Sequence, residues 1–428
     1  MAPLCKRKLW RFAFTLALLP LLAAGAWGGK QAAHSEPGGA ALAGTIPVGP
    51  LGFIPPNSSY LSHRFSFATL DFIDQDHLLF TFHVNKLLPR IPGDPADDDD
   101  QLIHAVVLDV VSGKVLRQAD WRMHDRGRYL WALRDGEFLV RVRNSLFFTD
   151  SSLALKPYLD FETELQGVQV SPARGLLMLE VKRALPAKTE ENGEGNGSAA
   201  PSLLGPSEGA QHEVTEMVLV RPGERKGLAG AKMLNPGTVP LLENGLLDVD
   251  EGKKPKEWVI VKKLLGNKRA TVATVKSACA PRLVMLSADV VLSQGCPVHG
   301  GNGDEVRAIS LDNGAVLWGD YWQAKYIWPH FKLAEDGSRF AYESLEMNRD
   351  IGTMDYFGQD DLLGQPVGVF NTKTGDMVLV KDASPVLSAG QNFALSADGR
   401  RFAILRNGAI EVYDLPPVVL APATGKKK

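Results

Sequence analysis

The sequence predicts an all-β fold, a single β-propeller of seven four-stranded blades closed by a strand from the N-terminal side. Three observations predict it. A short motif, an apolar residue, a tight polar turn and an apolar strand, recurs seven times. Its copies are spaced like four-stranded units, which occupy about 40–50 residues each. The last copy runs into Pro416-Pro417 with sequence for only three strands, so its fourth must come from elsewhere. The chain of 428 residues is 45% hydrophobic and holds 42 glycines. That is enough apolar surface for a packed core and excludes disorder for most of the chain.

The first segment reads as an address. Lys6, Arg7, Lys8 and Arg11 precede the apolar run Phe12–Ala24, and Ala24-Gly25-Ala26 has the spacing of a cleavage site. This is the pattern of a secretory signal over residues 1–26. The run is interrupted by Pro20 and is shorter than the ~20 residues a spanning helix needs. Cleavage is the expectation, and retention as an anchor the alternative. No cysteine follows the run to carry a lipid. Net charge is −2 and falls to near −6 once the four basic residues of the signal are removed. Neither value provides the basic footprint of a nucleic-acid binder. No later stretch reaches spanning length. The expected product is an exported monomer, periplasmic or extracellular. Residues 27–44 read as a flexible lead, and a segment within 45–69 is expected to supply the closing strand.

The units follow in order. The first holds Ile73–Phe80, with its turn at Asp76, and Val106–Leu116, with a Ser112-Gly113 turn. The second is Leu133–Val140 around Asp135. The third is Val170–Leu179 around Ala173. The step of 71 residues to the fourth turn, Asn244, contains residues 184–211, rich in Gly, Glu, Ala, Ser, Pro and Asn. These read as a disordered surface insertion. The fourth unit, Leu242–Leu247, is the weakest and leaves six or eight blades open. The fifth holds Leu286–Leu292 around Asp289, and Ala308–Leu317. The sixth holds Leu333–Tyr342 around Asp336, and Val367–Met377. The seventh holds Leu395–Ile404 around Asp398, then Ile410–Leu415. Asp-Gly and Asn-Gly supply the positive φ of tight hairpins. One such sheet cannot cover both of its faces, and a ring of them can. The ring occupies residues 45–417, and 418–428 form a basic tail.

Through Ser171-Pro172, the Asp336-Gly337 and Asp398-Gly399 turns, and the Ser112-Gly113, Asn313-Gly314 and Thr374-Gly375 turns, the chain resembles secreted bacterial β-propellers of the quinoprotein-like, YVTN and WD-repeat kind. The resemblance covers residues about 65–415 and implies the fold. The Trp-Asp and Gly-His pairs of WD repeats and the tryptophan-docking repeats of quinone-dependent dehydrogenases are absent. The resemblance therefore implies no catalytic residue.

Cys5 leaves with the signal. Cys279 and Cys296 are centred on the turn at Ser287–Asp289, which sets them opposite each other across a hairpin. Opposed strand residues come within disulfide range, and an exported chain favours the bond. The long insertions, 83–103, 184–211, 293–305 and 345–365, all fall between second and third strands, so they share one face with the links between units. Two of those links are rich in recognition residues. One carries Trp121, Arg122, His124, Asp125, Arg126 and Arg128. The other carries Tyr321, Trp322, Lys325, Tyr326, Trp328 and His330. Arg forks match carboxylates, and aromatic faces stack on ligand rings. The competing readings are an inter-blade ion-pair network with Trp121 as packing, and aromatic packing over the channel mouth.

The run Asp97–Asp100 and the acidic loop of Asp350, Asp355, Asp360 and Asp361 lack the spacing of a calcium loop and read as solvated. The histidines lack zinc spacing, and neither a P-loop nor a G-x-S-x-G elbow occurs. No metal or cofactor is expected. Asn57 and Asn196 head glycosylation sequons. The function expected is a non-enzymatic exported propeller that binds a small-molecule ligand or a protein partner through the long-loop face. The alternative is an enzyme at the channel mouth of that face: a hydrolase, a lyase or a quinone-dependent oxidoreductase. His124, Asp125, His330 and the acidic loops are its candidate groups. Approach of His124 to His330 beside carboxylates would favour the enzyme, and a broad aromatic and arginine surface would favour binding.

Overall fold

The computed structural model describes residues 39–56, 67–92, 100–124, 127–184, 213–233, 239–352, 355–387 and 391–418. The signal segment, Asp97–Asp99, Asp125 and Arg126, the insertion 185–212, both sequons and the basic tail lie outside the described residues.

Seven antiparallel sheets, each with four strands from A (innermost) to D (outermost), follow one another along the chain, in sequence order except that strand D of the last is the N-terminal β1. Blade one is β2 (Ala68–Phe72), β3 (His77–Val84), β4 (Gln101–Asp109) and β5 (Val115–Met123). Blade two is β6 (Leu130–Ala132), β7 (Phe138–Val142), β8 (Ser145–Thr149) and β9 (Lys156–Asp160). Blade three is β10 (Leu165–Val170), β11 (Leu177–Ala184), β12 (Glu213–Val220) and β13 (Ala229–Met233). Blade four is β14 (Leu241–Leu242), β15 (Gly245–Glu251), β16 (Glu257–Leu264) and β17 (Lys268–Lys276). Blade five is β18 (Arg282–Met285), β19 (Val290–Gly295), β20 (Gly303–Ser310) and β21 (Val316–Gln323). Blade six is β22 (Tyr326–Leu333), β23 (Arg339–Met347), β25 (Pro366–Asn371) and β26 (Met377–Asp382), with β24 (Leu362–Gly364) pairing onto β23. Blade seven is β27 (Phe393–Leu395), β28 (Arg401–Arg406), β29 (Ala409–Asp414) and β1 (Ala41–Pro47). Among the described residues there is no α-helix, and no helix long and apolar enough to cross a membrane.

Burial follows from the stacking of blades. All five residues of β2 are buried, as is the Leu78–Phe82 run of β3, because neighbouring blades cover both faces of an inner strand. The outer strand β5 is mostly exposed until Trp121 and Met123. All seven A–B turns fall where the repeated motif places them. Gly337 and Gly399 adopt φ of 73° and 64°. The positive φ at Gly399 is what this turn needs glycine for, and a Cβ there would also make Ser338 Oγ, 2.4 Å away, turn aside.

The motif also stitches neighbouring blades. Arg339 and Arg401 occupy the same repeat position, two residues after the turn glycine. Arg339 Nη1 donates to Gly399 O of blade seven at 2.6 Å. Arg401 Nη1 donates to Gln75 O of blade one at 2.6 Å.

The ring closes through β1, which pairs with β29 from Ala41↔Asp414 to Pro47↔Ala409. Ile46, 2% exposed, packs with Phe53, Leu405, Ile410 and Val412. The strand starts at Ala41, ahead of the boundary at 45 and inside the segment expected to be flexible. Covering the whole length of β29 requires those extra residues. Ala-Leu-Ala-Gly carries little strand propensity to announce them.

Candidate functional site

Alternating hairpins put every A–B and C–D turn at one end of the ring, and every B–C connection and D–A link at the other. On the tight-turn end the longest connection is 221–228, whereas at the other end 16 residues separate β3 from β4, 28 separate β11 from β12 and 18 separate β23 from β25 along the chain. Four of the predicted residues form two anchored groups there. Asp100, at the end of the acidic run, is a hub. Its side chain is 6% exposed and pairs with Arg122, with His124 Nδ1 at 3.4 Å and with Arg143 Nη2 at 3.4 Å. Burial pushes the Asp100 carboxyl up, but the Arg122 hydrogen bond and charge, Arg143 and His124 outweigh it and hold it below the ordinary carboxylate value. Trp121 is 3% exposed, and its Nε1 donates to Leu153 O of blade two at 3.1 Å. It is a packing residue.

The second stretch differs from its expected form. It is not a loop. Tyr321 and Trp322 lie on β21, Tyr326, Trp328 and His330 lie on β22, and the link between the strands is only Ala324-Lys325. Tyr, Trp and Ile carry strand propensity, and here the outer and inner strands run nearly into each other. Trp322 stacks on Tyr342 with centroids 4.6 Å apart, between blades five and six. Lys325 Nζ lies 2.7 Å from Glu346 Oε1, and Tyr326 Oη donates to the same oxygen at 3.3 Å. Tyr321 is 46% exposed. Trp328 has φ of 52° at the register shift between Ile327 and His330. The bulge lets its ring meet Phe357 of the 348–365 loop edge-on at 5.1 Å.

Further down the same innermost strand, His330 Nδ1 lies 2.7 Å from Oε1 of Glu343, which is 1% exposed. The other oxygen of Glu343 accepts from Gln365 Nε2 at 2.8 Å. His124 and His330 are thus held by different carboxylates on different blades. The Arg349 side chain gathers the acidic loop, reaching Asp361 at 3.3 Å and Asp355 at 3.6 Å. Among the described residues no group of three or more His, Cys, Asp or Glu could hold a metal ion.

The disulfide Cys279–Cys296 is present, with Cα atoms 5.4 Å apart. It sits just beyond the paired ends of β18 and β19, and Cys296 N donates to Cys279 Sγ at 3.2 Å.

One constellation was not foreseen. In the central channel, Lys332 Nζ on β22 donates to Asp71 Oδ1 of blade one at 2.5 Å. Arg174 Nη1 of blade three lies 3.3 Å from Glu335 Oε2 of blade six, and Arg134 Nε of blade two lies 3.8 Å from Glu335 Oε1. Each pair joins blades that are not neighbours, so the pairs bridge the lumen. The available signal was a charge inside each of two apolar inner strands, Leu70-Asp71-Phe72 and Phe331-Lys332-Leu333. A groove of about 210 Å³ between blades three and four, lined by Met217, Leu219, Leu246 and Leu264, has Lys263 as its single titratable group.

No protein-family model matches the sequence, and no curated protein matches it. Among solved structures the chain is similar to an acylaminoacyl peptidase in complex with Z-Gly-Gly-Phe-chloromethyl ketone, with 8% identity, a TM-score of 0.46, and coverage of 85% of this chain and 52% of that chain. It is similar to an oligogalacturonate lyase in complex with manganese, with 12% identity, a TM-score of 0.43, and coverage of 82% and 97%. It is also similar to the C-terminal WD40 domain of Sif2, with 10% identity, a TM-score of 0.38, and coverage of 88% and 99%. The chain spans about half the length of the acylaminoacyl peptidases it matches, the Pyrococcus horikoshii enzyme among them.

Proposed function

We propose that the protein is an exported, non-enzymatic propeller that binds a ligand or a protein partner through its long-loop face. The observation that carries this reading is the asymmetry of the two ends of the ring. Short turns finish one end, and the longest connections leave the rigid scaffold at the other, which is the arrangement that supports recognition. The Asp100 hub fixes the C-terminal end of the 85–100 connection, and Trp328 packs against Phe357 within 348–365. Tyr356 and Leu87, 89% and 99% exposed on those two connections, offer contact area beyond the anchors. Export is supported by the signal-like segment and by the Cys279–Cys296 bond, which persists in oxidising compartments. Among the described residues, the competing enzyme reading draws on the His330–Glu343 pair and on the acidic loop of Asp350, Asp355, Asp360 and Asp361, since Asp100 holds His124 elsewhere.

A photo-crosslinking side chain at Tyr356 tests the proposal against one at Val316, which is 57% exposed at the tight-turn end. Adducts with components of the exported fraction are expected from position 356 and not from 316. Adducts from 316 alone, or equally from both, would overturn it.

A further inference from the structure

The groove between blades three and four has a structural cause. Met217 and Leu219 of β12 form its buried floor, and Leu246 and Leu265 of blade four pack against them. The outermost strand of blade three roofs this interface with almost nothing. Its register sets Ala229 opposite Leu219 and Gly230 opposite Val218, so a methyl group and bare backbone stand over the floor. The outermost strand of blade five, by contrast, packs Trp318 and Trp322 against blade six. The apolar seam between blades three and four is therefore left open at its outer side, where Ala229, Gly230, Gly266 and Asn267 are exposed.

Size and backbone point to a polypeptide. The groove holds about 210 Å³, less than the roughly 300–1,000 Å³ of a pocket for a drug-sized ligand. It suits an aliphatic side chain carried by something larger. Beside it, β13 pairs only with β12, so its outer edge presents unpaired backbone groups that an extended segment can meet.

The charge around the groove selects the segment. Lys263, Lys268 and Arg269 flank the blade-four turn, and Lys226 lies in the blade-three turn that runs into Ala229. Lys263 and Arg269 are paired with Asp248 and Asp250. Lys226 and Lys268 are exposed and form no ion pair among the described residues. The surroundings have the same sign. Residues 221–276 hold twelve Lys and Arg against six Asp and Glu, in a chain whose 47 basic residues are outnumbered by 49 acidic ones. Complementary charge steers a partner and rejects one of like sign.

We infer that the groove between blades three and four docks an acidic, extended peptide segment of a partner protein through an aliphatic side chain. The groove opens at the tight-turn end, so this docking site stands or falls independently of the long-loop face proposed above.

The test measures fluorescence anisotropy of labelled Glu-Glu-Asp-Leu-Leu-Asp-Glu-Glu with the purified protein. Two controls replace the leucines by serine or the acidic residues by lysine. Saturable binding of the first peptide is expected, at least tenfold tighter than either control and weakening as sodium chloride is raised. Ala229→Trp fills the groove, and Lys268→Glu reverses its rim. Both positions are exposed, so both variants should fold, and unchanged melting curves check this. Each is expected to weaken binding at least fivefold. No saturable binding, equal binding of a control peptide, or an affinity unchanged in both variants would overturn the assignment. A wild-type dimer that Ala229→Trp dissociates in sedimentation would seat a second copy in the groove and overturn it as well.

Discussion

Arg174 of blade three and Glu335 of blade six meet across the central channel, with Nη1 3.3 Å from Oε2. The contact ties opposite sides of the ring at the tight-turn end, where Arg134 joins it from blade two. In a propeller each blade packs mainly on its two neighbours, so a strap between distant blades restrains the ring as a whole.

Glu335→Gln removes the carboxylate shared by two arginines. Both partners are partly buried, with side chains 16% and 26% exposed in the Arg174–Glu335 pair. The expected cost lies between that of a surface and a buried pair, about 1–2 kcal/mol. Urea denaturation of wild type and variant measures it, and equal midpoints would remove the strap from the account.

The Asp100 hub predicts a pH dependence. Its folded-state carboxyl is held below the ordinary value of 3.8, so the unfolded chain takes up its proton first as pH falls. The hub's contribution is complete above the unfolded pKa and declines as pH drops through the folded one. Asp100→Asn is expected to lose about 1.5–3 kcal/mol near neutrality, the range for hydrogen bonds to charged groups. The difference from wild type should shrink as pH falls below about 4. Melting curves from pH 7 to the acid limit check this, and a pH-independent gap would contradict it.

The Cys279–Cys296 bond closes a loop with a sequence separation of 17. Replacing both cysteines by serine is expected to cost about 3 kcal/mol, chiefly through the freed unfolded chain. Free-thiol titration of the unreduced protein should find neither sulfur reactive. A double variant as stable as wild type would argue that the bond adds nothing.

Much of the fold was legible because its signals are local. An Asp-Gly or Asn-Gly pair between apolar runs marks a hairpin wherever it sits, so the turns at Asp336 and Asp398 could be read directly. Even the weak fourth unit was placed, although β14 is only Leu241–Leu242. The two cysteines could be paired because a hairpin relates residues by distance from one turn. The site was less legible because it is made by distant blades. Nothing within a few residues of Lys332 or Asp71 says that they meet. Trp121 looked like a recognition residue until its burial against Leu153 was visible. The Tyr321–His330 stretch looked like a loop because its aromatics and charges resemble a binding segment, whereas they pair in two strands across blades five and six.

Protection from amide hydrogen exchange over Ala41–Pro47 tests most directly whether the front of the chain shuts the ring. The pairing with Ala409–Asp414 predicts slow exchange on both segments, and Ile46→Ala should release both together. Exchange of residues 41–47 at unstructured rates, with 409–414 still protected, would contradict the closed seven-bladed ring on which both the recognition face and the channel depend.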